Sequence, residues 1–271
     1  MKSRHATTRL TAVLFGLALL GAACSNDASE SATAAAGPTT QEQSENAAFC
    51  DSWVQVDQTA GDLSDPDTPM ETVTAAASKI SDQLAAADEP PADLATQLDT
   101  LTSAFDAAAD GDRSQLDAPE TAAPWNEVGL WVHDNCGFEP VEITLVEHEF
   151  EGMPTSLDAG VASLKATNEG VDAHVMIISR INDDVELSAQ EIVDSAMEAD
   201  DPEAAFEKTT EEVVGGGFAA PGDQAALTVE LTPGRYLMLC PIPSGFSGDG
   251  PPPADAPPHF ALGMVSGFQV N

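Results

Sequence analysis

His174, Cys240, His259 and Met264 are the residues of this chain whose types could do chemistry together. They fall in the last third of the sequence, in the order His, Cys, His, Met. Two imidazoles, a thiolate and a weak thioether form the donor set of a mononuclear copper centre, which serves Cu(I) and Cu(II) with little rearrangement. Taken singly, each residue has a plainer reading. A strand-end His is usually a satisfied polar group, a lone Cys or Met is usually a small core residue, and His259 could lie at the surface. Their joint order is what points to a metal, and the expectation is one copper ion. Between Cys240 and His259 lie 18 residues, Pro241 to Pro258, dense in Pro and Gly. Loop-closure entropy grows slowly with length, and the prolines stiffen the segment, so such a loop can still return His259 to Cys240.

Cysteine usage supports the assignment of Cys240. Met1-Lys2-Ser3-Arg4 followed by the apolar run Leu10 to Ala23 reads as an export signal, too short for a stable membrane span. Leu20-Gly21-Ala22-Ala23-Cys24 resembles a bacterial lipobox, with Cys24 as the lipidated first residue of the mature chain; an ordinary secretory signal with a chance Cys is the alternative. Residues 1–23 are thus expected to be the signal and 24–44 a polar tether. In an oxidising compartment Cys50 and Cys136, which flank one segment, should pair, leaving Cys240 as the odd thiol. Sequence alone leaves a disulfide from Cys240 to either of them open.

The chain has 46 acidic residues against 9 basic ones, and removal of Lys2, Arg4 and Arg9 takes the formal charge from −37 to −40. That argues against nucleic acid and against docking on anionic lipid, and fits a cationic partner or simple solubility.

Two patterns divide the rest. Residues 45–138 read as a small helical domain. Phe49, Cys50, Trp53 and Val54, with Ala47, share one side of a first helix. Thr68-Pro69-Met70-Glu71 opens a second with a capping box, and Leu94, Leu98, Leu101 and Phe105 form the stripe of a third. Pro124 is expected to open a fourth, with Trp125, Val128, Trp131 and Val132 inward. His133 beside Asp134 reads as a solvent-facing helix end rather than a metal or acid/base pair. Residues 140–271 change to strand alternation, first in Val141, Ile143 and Leu145, then in short runs separated by turn signals, as in a β-sandwich. A helical insertion is expected over about 187–213, opened by the capping box Ser188-Ala189-Gln190-Glu191, with Gly215-Gly216-Gly217 returning the chain to the sheet. His148 reads as an exposed strand residue, with a second weak metal site as the lesser reading.

Three segments of this second part resemble the cupredoxin family: Leu157–Gly160 with Leu164-Lys165-Ala166-Thr167-Asn168-Glu169-Gly170 leading to His174; Pro233-Gly234-Arg235-Tyr236-Leu237-Met238-Leu239-Cys240; and His259-Phe260-Ala261-Leu262-Gly263-Met264 before the closing Phe268-Gln269-Val270. The resemblance implies an all-β Greek-key sandwich binding one copper through His174, Cys240 and His259, with Met264 axial. With copper bound, ligand chemistry would place the electron exit at the exposed edge of a His, expected to be His259, with Phe246, Phe260, Leu262 and Met238 as candidates for the surrounding shell. The departure is the long Cys240–His259 loop, where the family has only a few residues. Segments around Cys50 and Cys136 also resemble secreted actinobacterial lipoproteins, which implies no activity.

Together these readings give a helical domain followed by a cupredoxin-like domain. The protein would be lipid-anchored to the outer face of the cell membrane and work in electron transfer or copper handling with a redox or copper-donor protein. A metal-free binding module that uses loop 241–258 for contact is the alternative. No Gly-x-Ser-x-Gly, HExxH or second copper cluster suggests an enzyme.

Overall fold

The computed structural model describes residues 46–61, 63, 68–86, 90–116, 118–248, 253 and 255–271. The segments expected to be the signal and the tether, with the expected lipidation site at Cys24, lie outside them. No helix among the described residues is long and apolar enough to cross a membrane.

Among the described residues, four α-helices come first: α1 (Ala47–Gly61), α2 (Met70–Ala86), α3 (Ala95–Ala109) and α4 (Pro119–Asn135). The expected stripes meet in one core: Phe49, Trp53, Leu98, Leu101, Phe105, Val128 and Val132 pack together, joined by Val73 and Ile80 of α2, while Ala47 stays exposed. Trp125 closes this core with its ring centroid 4.9 Å from Trp53 and 5.9 Å from Phe105. The fourth helix begins at Pro119, not at Pro124, which sits inside it. Pro119 occupies the first-turn position where a missing N–H costs nothing. Cys50 and Cys136 are bonded, tying α1 to the end of α4, and Cys240 is a free, buried cysteine.

Nine strands follow: β1 (Glu139–Val146), β2 (Glu149–Glu151), β3 (Ser156–Leu157), β4 (Gly160–Asn168), β5 (His174–Ile181), β6 (Thr210–Ala219), β7 (Gln224–Leu231), β8 (Gly234–Leu239) and β9 (Val265–Val270). They form two sheets, β2-β1-β4-β7 and β3-β9-β8-β5-β6, mixed because β1 runs parallel to β4 and β3 parallel to β9. The expected helical insertion is present as α5 (Ala189–Met197), capped by the Ser188/Glu191 box, and α6 (Pro202–Glu207), capped by Asp201. It ends sooner than expected, because β6 starts at Thr210 and takes the glycine triplet into the sheet. There Leu227 and Met176 fill the space a side chain would occupy: a Cβ on Gly215 would meet Leu227 Cδ1 at 3.0 Å.

Among the described residues, helices and sandwich pack as one unit. The alternation of β7 shows why. Ala225, Leu227, Val229 and Leu231 enter the sandwich core, yet Ala226 and Thr228 on the other face are buried too. The helices cover that second face. A Cβ on Gly129 of α4 would lie 2.9 Å from the Ala226 carbonyl, so glycine permits the approach. Asp57 Oδ2 accepts the Thr228 N–H at 2.7 Å. His133, expected at the surface, is buried against β4, with Nδ1 3.1 Å from both the carbonyl and the hydroxyl of Ser163. α5 covers the outer face of β8 through Ile192, Val193, Leu237 and Leu239.

Candidate metal centre

Strand parity aims two of the candidate ligands. On β5, His174, Met176 and Ile178 share the inward face; on β8, Tyr236 and Met238 do so, and Cys240 continues that series one residue past the strand. The β7–β8 corner is fixed by Tyr236, whose hydroxyl donates to the Thr232 carbonyl (3.0 Å) and accepts the Thr232 N–H (3.1 Å). β5 and β8 pair antiparallel, with Ile177 opposite Leu239. That register brings the start of one strand beside the end of the other.

The long loop closes at its base. The His259 N–H donates to the Ile242 carbonyl at 2.9 Å and the Ser244 N–H to the Pro257 carbonyl at 3.0 Å, with Pro243 and Pro258 bridged between them. The 18 residues therefore leave and return through a short antiparallel ladder, and His259 arrives beside Cys240. A single 3-10 turn, His259–Leu262, ends at Gly263 in the left-handed region (φ 110°) and turns the chain back into β9. Main-chain bonds lock the corner: Phe260 N–H to Cys240 carbonyl (2.8 Å), Met264 N–H to His259 carbonyl (3.0 Å) and Cys240 N–H to Met264 carbonyl (3.3 Å).

The donor atoms of His174, Cys240 and His259 lie within 4.8 Å of one another. Cys240 Sγ is 3.4 Å from His259 Nδ1 and 3.9 Å from His174 Nδ1. Bond lengths of about 2.0–2.1 Å to imidazole nitrogen and 2.3 Å to thiolate sulfur put such donors about 3.6–3.8 Å apart at tetrahedral-to-trigonal angles. The two observed distances bracket that span, so the residues fit a first-row metal. Met264 is fully buried in the same core as Cys240. A thioether beside two imidazoles and a thiol favours copper over zinc.

Electrostatics suit ligand exchange of protons for metal. Burial, with the neighbouring His259, pushes the His174 pKa down to about 4, and burial lowers that of His259 against the pull of Asp172. Both rings are therefore neutral at pH 7, with a lone pair to offer. Burial raises the Cys240 thiol above its ordinary value, although the Val175 N–H points at its sulfur at 3.4 Å.

The expected exit through an exposed edge of His259 is overturned. His174, Cys240, His259 and Met264 are all 0% exposed. The start of the loop is tied down beside the site: Gly245 N–H donates to Asp172 Oδ2 at 2.7 Å, and the Phe246 carbonyl accepts the Ala173 N–H at 2.7 Å. Of the expected surround, Met238 is buried, Phe246 and Phe260 are half-buried, and Leu262 is 41% exposed, outside it. His148 is not an exposed strand residue either. It sits half-buried in the β1–β2 turn with φ 67°, its ring centroid 5.4 Å from that of His259. Asp172, unmarked in the sequence reading, accepts from His259 Nε2 at 3.2 Å. Its one sequence signal is its place two residues before His174.

No protein-family model matches the chain, and no curated protein matches it. Among solved structures, 49% of the chain is similar to auracyanin from Roseiflexus castenholzii, at 19% identity over 96% of that chain with a TM-score of 0.32. Auracyanin A from Chloroflexus aurantiacus, a "blue" copper protein, matches 49% of the chain at 21% identity over 99% of its own length, with a TM-score of 0.29. Rusticyanin from Thiobacillus ferrooxidans matches the same share at 18% identity over 78% of its length, with a TM-score of 0.29. The metal-site assignment rests on the donor geometry.

Proposed function

We propose that this protein would hold one copper ion with His174 Nδ1, His259 Nδ1 and Cys240 Sγ, with Met264 supplying a weak thioether donor, and work as a one-electron carrier. The observation that carries the proposal is the convergence of two imidazoles and the free thiol within 4.8 Å in a fully buried position. The copper supplies a reversible one-electron couple, because this donor set suits both oxidation states. The chain's own residues do the rest. The Ile242–His259 ladder and the Cys240–Met264 bond hold the donors on rigid backbone, and the apolar core around Met238 and Met264 keeps water out. In the cell we place the protein outside the membrane, held by lipid on Cys24 and meeting a cationic redox or copper-donor partner. The leader sequence and the acidic charge support this. Metabolic labelling with a fatty-acid analogue tests the anchor: Cys24→Ala should lose the label and leave the membrane fraction, and unchanged labelling would refute the anchor. Addition of Cu(II) to the purified protein tests the site: one equivalent should give an intense visible sulfur-to-copper band.

A further inference from the structure

We infer that Asp172 is a positioning residue for the metal centre: it sets the tautomer of His259 and ties the start of the inserted loop to that ring. The inference rests on the copper reading above and deepens it. A ligand imidazole can offer Nδ1 to a metal only if its proton sits on Nε2. Asp172 provides for this. Its Oδ2 lies 3.2 Å from His259 Nε2, and a carboxylate oxygen can only accept, so Nε2 carries the hydrogen and Nδ1 faces Cys240 Sγ bare. His174 shows the contrast, because its equally buried Nε2 has no partner among the described residues.

Asp172 is itself held from three sides. Its N–H donates to Glu147 Oε1 at 3.2 Å, its carbonyl accepts from Asn168 Nδ2 at 2.8 Å, and the same Oδ2 accepts the Gly245 N–H at 2.7 Å. One oxygen therefore ties the first turn of the insertion to a ligand ring. A carboxylate on the outer nitrogen also makes the ring a stronger donor, and loss of such a partner typically costs about 10–100-fold in metal affinity.

Two variants separate the geometric role from the charge. In the metal-free protein, long-range nitrogen–proton NMR of the histidine rings should show His259 with its proton on Nε2. Asp172→Ala should abolish that preference, while Asp172→Asn, which keeps an oxygen in place, should retain it. Competition titration with Cu(II) should then show about 10–100-fold weaker binding for Asp172→Ala. Asp172→Asn should retain the visible band but shift the reduction potential upward, because the charge is gone. Circular dichroism identifies any variant that fails to fold, and Asp172→Asn then carries the test. An unchanged His259 tautomer in Asp172→Ala with Cu(II) affinity within about twofold of the parent would overturn the inference. So would an unshifted potential in Asp172→Asn. If the parent protein shows no band at all, the copper reading fails instead, and the tautomer result stands apart from it.

Discussion

Asp57 is a carboxyl group of α1 that is only 8% exposed, wedged between the helices and β7. Burial raises its pKa from 3.8 to about 7, outweighing the stabilising N–H of Thr228. Between pH 4 and pH 7 the folded chain holds this proton and the unfolded chain does not. Stability from Asp57 is therefore fully present below pH 4 and is lost as pH rises to about 7. Three pKa units at 1.36 kcal/mol each make the loss about 4 kcal/mol, and solvent relaxation in the native state would reduce it. Asp57→Asn keeps an oxygen for the Thr228 N–H and removes the ionisation. Urea unfolding of both proteins from pH 4 to pH 8 isolates the effect, since the other carboxylates cancel in the difference. The variant should match the parent to within about 1 kcal/mol near pH 4 and exceed it by about 2–4 kcal/mol at pH 8. A difference independent of pH, or a variant weaker at pH 8, would refute the reasoning, because it would mean the buried carboxylate is ionised at little cost.

Other expectations follow from packing and linkage. Gly129→Ala drives a methyl into the Ala226 carbonyl and should cost about 1–3 kcal/mol by chemical denaturation. Replacing Cys50 and Cys136 by Ser opens a cross-link spanning 86 residues, and chain entropy sets the loss at roughly 4–5 kcal/mol, read as a lower urea midpoint. His148→Gly relieves a non-glycine residue at φ 67° and should leave stability within about 1 kcal/mol of the parent while the copper band persists. Because burial raises the Cys240 pKa, its thiol is protonated at pH 7, and each copper bound should release about one proton, measurable in a weakly buffered titration.

Much of this architecture was legible in the sequence because it rests on local periodicity. Leu98, Leu101 and Phe105 announce α3, Val141, Ile143 and Leu145 announce β1, and Ser188 with Glu191 announces α5. The order His174, Cys240, His259, Met264 was legible; the strand parity by which Met176 and Ile178 behind His174, and Tyr236 and Met238 before Cys240, face one core came with the fold. What the sequence hid depends on contacts between distant residues. Gly215–Gly217 lack strand propensity, and only the bulk of Leu227 and Met176 opposite them makes β6 intelligible. His133 and Asp57 look like surface polar residues until β4 and β7 are laid against their helices. Asp172 meets both the His259 ring and Gly245, 73 residues away, a pairing no local pattern carries.

The central claim is that Cys240 and two histidines hold one copper. Its most direct test is titration of the purified protein with Cu(II), followed by visible absorption, beside Cys240→Ala. The account predicts an intense sulfur-to-copper band that saturates at one equivalent and is absent from the variant. No band in the parent, or the same band in Cys240→Ala, would contradict it.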